Sequence, residues 1–326
     1  MSSWSATDIP DQSRRIALVT GATSGLGLHT ATELARHGAR VLLGTRDAAR
    51  GAAALATVRA VAGGAGPELV DLDLADLASV AAAAADVRER SSDRLDLLIN
   101  NAGLMAPPLR LSVDGFESQW ATNHLGHAAL TWLLYPSLAT GSGSRIVTVS
   151  SIAHRQGHIT PTELPAATTG AGYRPWAAYG LSKLANLLFA AELHRRLRID
   201  DPETLSVAAH PGLSATGLVP AMMANAPAVP RRLAEAAIGL VGQPAAQGAL
   251  PQLYAATAPE VRSGQFYGPA GPGQLRGAPK VVQPNDVAQD ERLAKVVWAL
   301  TASQTGIEPM PSHTHPSGPS NLVSHG

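Results

Sequence analysis

The chain lacks cysteine and carries no excess of either charge. Because none of its 326 residues is cysteine, disulfides, thiolate nucleophiles and cysteine-ligated metals are excluded, and a cytoplasmic location is expected. Lys plus Arg and Asp plus Glu each total 25, so the sequence does not have the basic surface of a nucleic-acid-binding protein. With 45% hydrophobic residues it has enough apolar material for a large core, and a small molecule is the expected partner.

The sequence also lacks any apolar run long enough to cross a membrane. The richest run, Ala128 to Leu138, is short and contains Pro136, so no membrane anchor is expected. Residues 1–13 have no cationic segment followed by an apolar stretch, and we expect a loose leader rather than a signal peptide. Residues 303–326 are rich in Pro, Ser and His without apolar periodicity, which predicts a disordered tail. A single domain is expected between them, over residues 14–302.

Short apolar runs alternate along the chain with longer segments of helical pattern. This alternation predicts a doubly wound α/β fold of Rossmann type, a parallel sheet covered by helices on both faces. From Leu213 to Gln243 the strand signals end and Ala, Pro and Met increase. We expect a small helical substrate lid there, over residues 213–243, with a surface helical hairpin as the equal alternative. The predicted strands are Ile16 to Val19, Val41 to Leu43, Leu69 to Leu72, Leu95 to Ile99, Ile146 to Val149 and Leu205 to Ala209.

A glycine-rich turn lies between the first predicted strand and the first predicted helix. Glycines there allow a tight turn and a close approach of the backbone to a pyrophosphate, which the helix N-terminus would face with free N–H groups. The spacing T-G-x-x-x-G-x-G resembles that of the short-chain dehydrogenase/reductase family, and a purely structural turn is the alternative. The cofactor contacts that this turn predicts are Gly21, Thr23, Ser24, Gly25, Leu26 and Gly27.

The end of the second predicted strand bears on the choice between NAD(H) and NADP(H). An NAD site usually places an acidic residue there for the ribose hydroxyls, whereas this sequence has Thr45 followed by Arg46. A guanidinium at Arg46 can pair with the 2′-phosphate, so NADP(H) is favoured and NAD(H) is left open. A solvated arginine at a strand end is the alternative.

Three further turns resemble cofactor-binding motifs of the same family. The resemblance implies that Asp73, with Leu74 beside it, hydrogen-bonds the adenine ring, and that the backbone of an N-N-A-G turn flanks the adenine ribose. As an alternative, Asp73 would simply cap the following helix. The resemblance also implies that a P-G turn reads the nicotinamide carboxamide and that a later threonine touches a phosphate. The predicted contacts are Asp73, Leu74, Asn101, Ala102, Gly103, Pro211, Gly212, Leu213 and Thr216.

Tyr179 and Lys183 are four residues apart, which on a helix places a phenol and an ammonium on one face. Ser151 follows the fifth predicted strand, and a parallel sheet presents its strand ends to the ligand crevice. The resemblance implies that Tyr179 is the proton donor or acceptor and that the hydroxyl of Ser151 hydrogen-bonds the substrate oxygen. The charge of Lys183, together with that of an oxidised nicotinamide, is expected to lower the pKa of the phenol. Tyr179 and Lys183 are also expected to contact the cofactor, Lys183 at the nicotinamide ribose. The resemblance implies that Asn123 anchors a water relay to the lysine; interhelical hydrogen bonding is the alternative role of Asn123, and Ser150 the alternative to Ser151.

The segment between Ser151 and Tyr179, 28 positions from 151 to 179, is longer than in compact ketoreductases of the family. It resembles retinol-dehydrogenase-like members and the protochlorophyllide-reductase group. Tyr173, Pro175 and Trp176 would stand near the substrate mouth, where aromatics pack against an apolar ligand; loop packing is the equal alternative. The resemblance implies an NADP(H)-dependent oxidoreductase that moves a hydride between the nicotinamide and a carbonyl or alcohol of a lipophilic small molecule.

Two other classes of protein compete with this one. A metal enzyme is disfavoured, because the close histidine pairs, His124 with His127 and His313 with His315, lack a carboxylate in ligand register, and no metal site is expected. A sensor or scaffold that binds NADP(H) without turnover is the stronger rival, although the presence of all three proton-transfer residues argues against it. Since family members often associate through helices, a homo-oligomer is left open.

Overall fold

The computed structural model describes residues 4–141, 143–158, 160–215 and 243–310. Most of the segment predicted to form the substrate lid lies outside the described residues, as does Thr216. Residues 311–326, which make up most of the predicted tail, lie outside them as well.

All six predicted strands are confirmed, with ends that differ by at most two residues from the prediction. The described strands are β1 (Ile16–Thr20), β2 (Arg40–Thr45), β3 (Glu68–Asp71), β4 (Leu97–Asn100), β5 (Arg145–Val149), β6 (Leu205–Ala209), β7 (Ser214–Ala215), β8 (Gln243–Pro244), β9 (Phe266–Pro269) and β10 (Pro279–Val281). Eight of them form one sheet in the order β10-β9-β6-β5-β4-β1-β2-β3, and β7 pairs with β8 separately. The sheet is parallel apart from β10, which runs antiparallel to β9.

Helices connect the strands and cover the sheet. They are α1 (Gly25–Arg36), α2 (Ala48–Arg59), α3 (Leu77–Ser91), α4 (Ser118–Trp120), α5 (Gly126–Leu138), α6 (Leu164–Ala167), α7 (Pro175–Asp200), α8 (Ala245–Gly248), α9 (Leu250–Thr257) and α10 (Glu291–Thr305), with a π-helical segment, Ala121–Leu125, joining α4 to α5. Helix α5 continues through Pro136. Among the described residues, no helix combines the length and apolar character needed to span a bilayer.

Successive residues of the inner strands enter two separate cores, one on each face of the sheet. Ala17 and Val19 pack with α1, α2 and α9, whereas Leu18 packs with α3, α5 and α7. A strand buried on both faces reads as a continuous apolar run, which is the pattern that the sequence shows. The doubly wound Rossmann-type fold is therefore confirmed.

Helix α10 completes the second face by covering α5 and α7. The ring of Trp298 lies 5.0 Å from that of Trp132 and stacks on Phe189 at 5.2 Å. The guanidinium of Arg196 lies over the Trp298 ring, 4.5 Å from its centre. Because Trp298 is only 3% exposed, this helix is an integral part of the core.

The N-terminal segment differs from the predicted loose leader. A short 3₁₀ helix, Ala6–Asp8, is held by a capping box at Ser5. The ring of Trp4 packs edge-on against Tyr254 at 5.1 Å, and Ile9 is buried in the first core. Apolar contacts with the domain therefore fix residues 4–13, although the segment has no periodic pattern by which sequence reasoning could have placed it.

The C-terminal boundary also differs from the expected residue 302. Helix α10 extends to Thr305 and ends at Gly306, whose φ of +64° is the left-handed conformation usual at a helix C-terminus. Ile307 and Met310 then pack against the second core. The folded domain therefore reaches residue 310.

Candidate active site

The carboxyl ends of β1, β4, β5 and β6 meet at one edge of the sheet, where they border a cavity of about 460 Å³. Parallel α/β sheets bind their ligands at this edge. Polar groups on the cavity wall include the side chains of Asn101, Ser150, Ser151, Tyr179 and Lys183. Most of the remaining wall is apolar and includes Leu26, Leu104, Met105, Val149, Ile152 and Leu275.

Glycine is sterically required at two positions of the turn after β1. Gly21 has a φ of +64°, and a Cβ on it would lie 2.9 Å from Ala102 Cα. A Cβ on Gly27 would lie 2.4 Å from the Gly21 carbonyl oxygen. The glycine turn therefore folds directly against the N-N-A-G turn after β4, of which Gly103 also borders the cavity.

Helix α1 begins at Gly25, and its N-terminus fits an anionic ligand. Ser24 precedes the helix without making a side-chain cap hydrogen bond among the described residues, and its hydroxyl instead accepts from Arg50 Nη2 at 3.1 Å. The N–H groups of the first helical turn and the positive end of the helix dipole are thus left for a ligand such as a pyrophosphate. Thr23 lies in the same turn, and Leu26 lines the cavity.

Arg46 lies just beyond β2 and pairs with Asp73, which follows β3. The Arg46 Nη1 to Asp73 Oδ1 distance is 3.4 Å, with the two side chains 55% and 37% exposed. A pair so open to solvent is weak, so the guanidinium can exchange its partner for a phosphate. The alternative role of Asp73 as a helix cap is wrong, because Asp76 caps α3. Leu74, beside Asp73, is buried in the second core.

Sequence reasoning missed Arg50, which brings a second guanidinium to the glycine turn. Arg50 lies in the first turn of α2 and donates to Ser24, whereas Arg46 precedes that helix. The closeness of Arg50 to Arg46 in the sequence was the available signal. Arg50 is therefore the cation that contacts the glycine turn.

Tyr179 lies in the second turn of α7, next to Ser151 on the cavity wall. Its side chain is only 7% exposed. Burial raises the pKa of the Tyr179 phenol, and a hydrogen bond with Ser151 offsets part of that rise. The net shift of the Tyr179 pKa is upward, because desolvation of the phenolate outweighs the hydrogen bond with Ser151. The lowering by Lys183 together with an oxidised nicotinamide stays a prediction.

Lys183 lies one turn further along α7, on the same face as Tyr179, as predicted. Its Nζ donates to the Val149 carbonyl at 3.1 Å and lies 5.9 Å from the centre of the Tyr179 ring. Burial lowers the pKa of Lys183 to about 8, so the amine is still mostly charged at neutral pH. A phenol, a hydroxyl and an ammonium therefore meet at the end of β5.

The two serines after β5 differ in what their hydroxyls bind. Ser150 Oγ, which is buried, donates to the Lys183 carbonyl at 2.8 Å. Ser151 Oγ accepts from Ala153 N at 3.2 Å and is the serine that contacts Tyr179. Ser150 therefore supports the backbone of α7, and Ser151 is the one beside the phenol.

Asn123, in the π-helical segment before α5, fastens the loop after β4 to helix α7. Its Oδ1 accepts from Leu104 N at 2.7 Å, and its Nδ2 donates to Leu104 O at 3.0 Å and to Ser182 Oγ at 2.9 Å. Asn123 Oδ1 and Lys183 Nζ are both near Gly103, at 3.2 and 3.5 Å from where a Cβ on it would lie. The described contacts are interhelical and loop contacts, and the water relay stays a prediction.

The P-G turn after β6 forms the opposite wall of the cavity. Pro211, Gly212 and Leu213 all line it. Gly212 has a φ of +65°, and a Cβ there would lie 2.3 Å from the Leu275 carbonyl oxygen, which accepts from Leu213 N at 2.8 Å. The segment around Leu275, to which sequence reasoning gave no role, therefore holds the turn in place.

The two aromatic residues predicted at the substrate mouth have different positions. Trp176 lines the cavity, is 49% exposed, and lies 6.2 Å from the Tyr179 ring. Tyr173 instead donates its hydroxyl to the Pro107 carbonyl at 2.5 Å, so it packs loops together. Pro175 is the first residue of α7.

The histidine pair that was considered for metal binding is used inside the core. His124 bonds Asn186 at 3.2 Å and Thr301 at 2.8 Å, and His127 bonds Thr20 at 2.8 Å. Within the described ranges, no group of three or more His, Cys, Asp or Glu side chains is arranged to hold a metal ion. His313 and His315 lie outside those ranges.

The chain is similar in sequence to known dehydrogenases. Residues 15–225 match the family model described as short chain dehydrogenase. Retinol dehydrogenase 14 of Mus musculus is 38% identical over 305 residues, covering 90% of this chain and 86% of that protein. Polyprenol dehydrogenase of Mus musculus is 38% identical over 302 residues, covering 91% of this chain and 86% of that protein.

The chain is also similar to proteins of solved structure. An uncharacterised protein from Mycobacterium paratuberculosis is 41% identical with a TM-score of 0.77, covering 94% of this chain and 99% of that one. A protein from Beutenbergia cavernae, described as an NAD(P)-dependent gluconate 5-dehydrogenase with bound NADP, is 26% identical with a TM-score of 0.61, covering 78% of this chain and 95% of that one.

The chain belongs to the short-chain dehydrogenase family. Within that family it falls in the retinol-dehydrogenase-like branch, as its motifs predicted. It is accordingly an oxidoreductase that uses NAD(P) to interconvert alcohol and carbonyl groups of small molecules.

Proposed function

We propose that the protein transfers a hydride between NADP(H) and a carbonyl or alcohol group of a lipophilic small molecule. The observation that carries this proposal is that Tyr179, Ser151 and Lys183 line the same apolar cavity, with Tyr179 and Lys183 on one face of helix α7. The proposed catalytic residues are Tyr179, Ser151, Lys183 and Asn123.

The chemistry divides between the cofactor and the side chains. A bound nicotinamide supplies or accepts the hydride. In the reducing direction, Ser151 donates a hydrogen bond to the substrate oxygen, and Tyr179, which burial keeps protonated at neutral pH, gives its proton to that oxygen. In the oxidising direction, the phenolate must form, and the charge of Lys183 stabilises it.

Two cations support the preference for NADP(H). Arg50 contacts Ser24 at the uncapped start of α1, and Arg46 lies just beyond β2, where it pairs with Asp73; a guanidinium matches the geometry of a phosphate. The NADP in the Beutenbergia cavernae structure is consistent with this choice. The predicted contacts of the glycine, N-N-A-G and P-G turns with the cofactor belong to the same proposal.

The cavity wall supports a lipophilic substrate. Apolar side chains such as Met105, Ile152 and Leu275 make up most of it, and Trp176 stands at the mouth. Burial of apolar ligand surface against such a wall supplies most of the binding free energy. Two relatives are named for retinol and polyprenol, both alcohols with long apolar chains.

A cytoplasmic location remains a prediction from the absence of cysteine.

The test is NADPH oxidation followed at 340 nm with a panel of ketones and aldehydes of increasing apolar length. Wild type should reduce the longer members with higher kcat/KM and use NADPH in preference to NADH. Tyr179→Phe should reduce kcat by roughly 10²–10⁴-fold, the usual range for loss of a general acid, while NADPH binding is kept. NADPH binding without any turnover that depends on Tyr179 would instead favour the sensor or scaffold.

A further inference from the structure

Two buried histidines lie directly behind the walls of the cavity. His154 follows Ser151 after β5, and His210 precedes the P-G turn after β6. Both are 0% exposed, and neither belongs to the catalytic residues proposed above. Burying an imidazole costs free energy unless its nitrogens are hydrogen-bonded, so the partners of these two rings are informative.

His154 holds the backbone of the catalytic serine. Its Nδ1 lies 2.6 Å from the Ser151 carbonyl oxygen, so this nitrogen carries the proton and donates. Its Nε2 is buried without a hydrogen-bond partner among the described residues. Since Ser151 Oγ also accepts from Ala153 N, the hydroxyl and the carbonyl of Ser151 are fixed by the same short turn.

His210 holds the P-G turn on the opposite wall of the cavity, and its ring is the other tautomer from that of His154. Its Nδ1 accepts from Gly212 N at 3.1 Å, so its proton is on Nε2, which donates to Gln274 Oε1 at 3.0 Å. A Cβ on Gly268 would lie 2.1 Å from Nε2, so the ring rests directly on the backbone of β9. Burial lowers the pKa of His210 to about 4, which keeps the ring neutral and its Nδ1 able to accept.

Phe266 of β9 joins the two histidines. Its ring centre lies 5.7 Å from that of His154 and 5.2 Å from that of His210. Phe266 is itself 5% exposed. The two walls of the cavity therefore rest on one shared aromatic side chain at the end of the sheet.

We propose that His154 and His210 are positioning residues with separate roles, His154 on the substrate side of the cavity and His210 on the cofactor side. His154 orients Ser151 toward the substrate oxygen. His210 orients the P-G turn, which the proposed function places against the nicotinamide. This inference rests on that proposed function, and it assigns to each histidine a different measurable quantity: catalytic turnover to His154 and cofactor binding to His210.

The test compares leucine and asparagine substitutions by steady-state kinetics and by NADPH fluorescence titration. His154→Leu should lower kcat about tenfold or more and leave the NADPH Kd within about twofold, and His210→Leu should raise the NADPH Kd about tenfold. Asparagine can replace the donating Nδ1 of His154 with its amide N–H and the accepting Nδ1 of His210 with its oxygen. His154→Asn and His210→Asn should therefore recover much of each loss.

His194→Leu is the matched control. His194 is half-buried and bonds Ser263 at 2.8 Å, away from both cavity walls. This variant should lower Tm without changing kcat or Kd of the folded protein. Two outcomes with an active wild type would show that the positioning roles are wrong. In the first, the His154 and His210 variants lose only stability, as the control does. In the second, each variant has both a lower kcat and a higher NADPH Kd, and asparagine restores neither. If wild type reduces no carbonyl, the proposed function fails instead, and the titration still decides whether His210 controls NADPH binding.

Discussion

The hydroxyl of Thr20 accepts hydrogen bonds from the backbone of Asn101. Thr20 Oγ1 lies 2.9 Å from Asn101 N and 3.0 Å from Ala102 N, and Asn101 Nδ2 in turn donates to the Thr20 carbonyl at 2.8 Å. These bonds join the ends of β1 and β4, whose turns border the proposed cofactor site. The two turns are therefore one rigid unit, in which a displacement of one must displace the other.

Gly27→Ala should disrupt this unit. The added Cβ would lie 2.4 Å from the Gly21 carbonyl oxygen and 2.5 Å from Asn101 Nδ2, and overpacking of this kind costs roughly 1–3 kcal/mol of unfolding free energy. Urea denaturation and NADPH titration should show lower stability and weaker binding. Gly66→Ala is the control, because a Cβ on Gly66 meets nothing within 4 Å; equal effects at both positions would contradict the steric argument.

Arg50→Gln should weaken binding of NADPH but not of NADH. A hydrogen bond to a charged group contributes about 1.5–3 kcal/mol, so the Kd for NADPH should rise about tenfold or more. The measurement is fluorescence titration with both cofactors. Arg59→Gln, an exposed cation at the far end of the same helix, should change neither Kd. A parallel loss of NADH affinity at Arg50 would mean that this cation does not contact the 2′-phosphate.

The kcat/KM for NADPH should decrease as the pH rises through about 8. Burial lowers the pKa of Lys183 to about 8, so the amine is charged below that pH and neutral above it. A neutral amine would lose the proposed charge-assisted bond to the ribose and the proposed support of the phenolate. A pH profile from 6 to 10 checks this. Lys183→Arg, whose cation persists throughout that range, should remove the alkaline limb even where the absolute rate is lower.

Acid should destabilise the fold through its buried neutral histidines. Burial lowers the pKa of His124 and of His210 from 6.5 to about 4. Below pH 6.5 the unfolded chain therefore binds protons that the folded chain refuses, so stability is complete above 6.5 and is lost as the pH falls toward 4. Each histidine contributes at most about 1.4 kcal/mol per pH unit in that window. Urea denaturation at pH 7.5 and 5.0 measures the loss of unfolding free energy. In His124→Gln the unfolded chain takes up one proton fewer, so this loss should be smaller. An unchanged dependence of the unfolding free energy on pH in this variant would refute the assignment.

The sequence was sufficient for the sheet centre and for the grouping of Ser151, Tyr179 and Lys183 at one cavity. Strands β1, β2, β4, β5 and β6 are buried on both faces, and such strands leave continuous apolar runs that the sequence displays directly. Tyr179 and Lys183 are related by the period of one helix, and the strand end brings Ser151 to the same edge. Each of these relationships depends on local pattern and on a general property of parallel sheets.

Contacts between distant segments left no such pattern. Strand β9, Phe266–Pro269, contains Gly and Pro and is only four residues long, so its place beside β6 depends on its neighbours rather than on its own propensity. The bond from Arg50 to Ser24 spans two elements, and the roles of His154 and His210 depend on which nitrogen faces which loop. The packing of Trp4 on Tyr254 likewise depends on a contact across the chain.

The position of Trp298 at the end of the folded domain has a consequence for biosynthesis. Phe189, on which it stacks, is translated 109 residues earlier, from 189 to 298. At a ribosomal rate of roughly 5–20 residues per second, a growing polypeptide exposes the aromatic surface of α5 and α7 for about 5–20 s before its cover exists. We expect a nascent chain of this protein to be prone to aggregate during that interval, because its apolar surface is exposed.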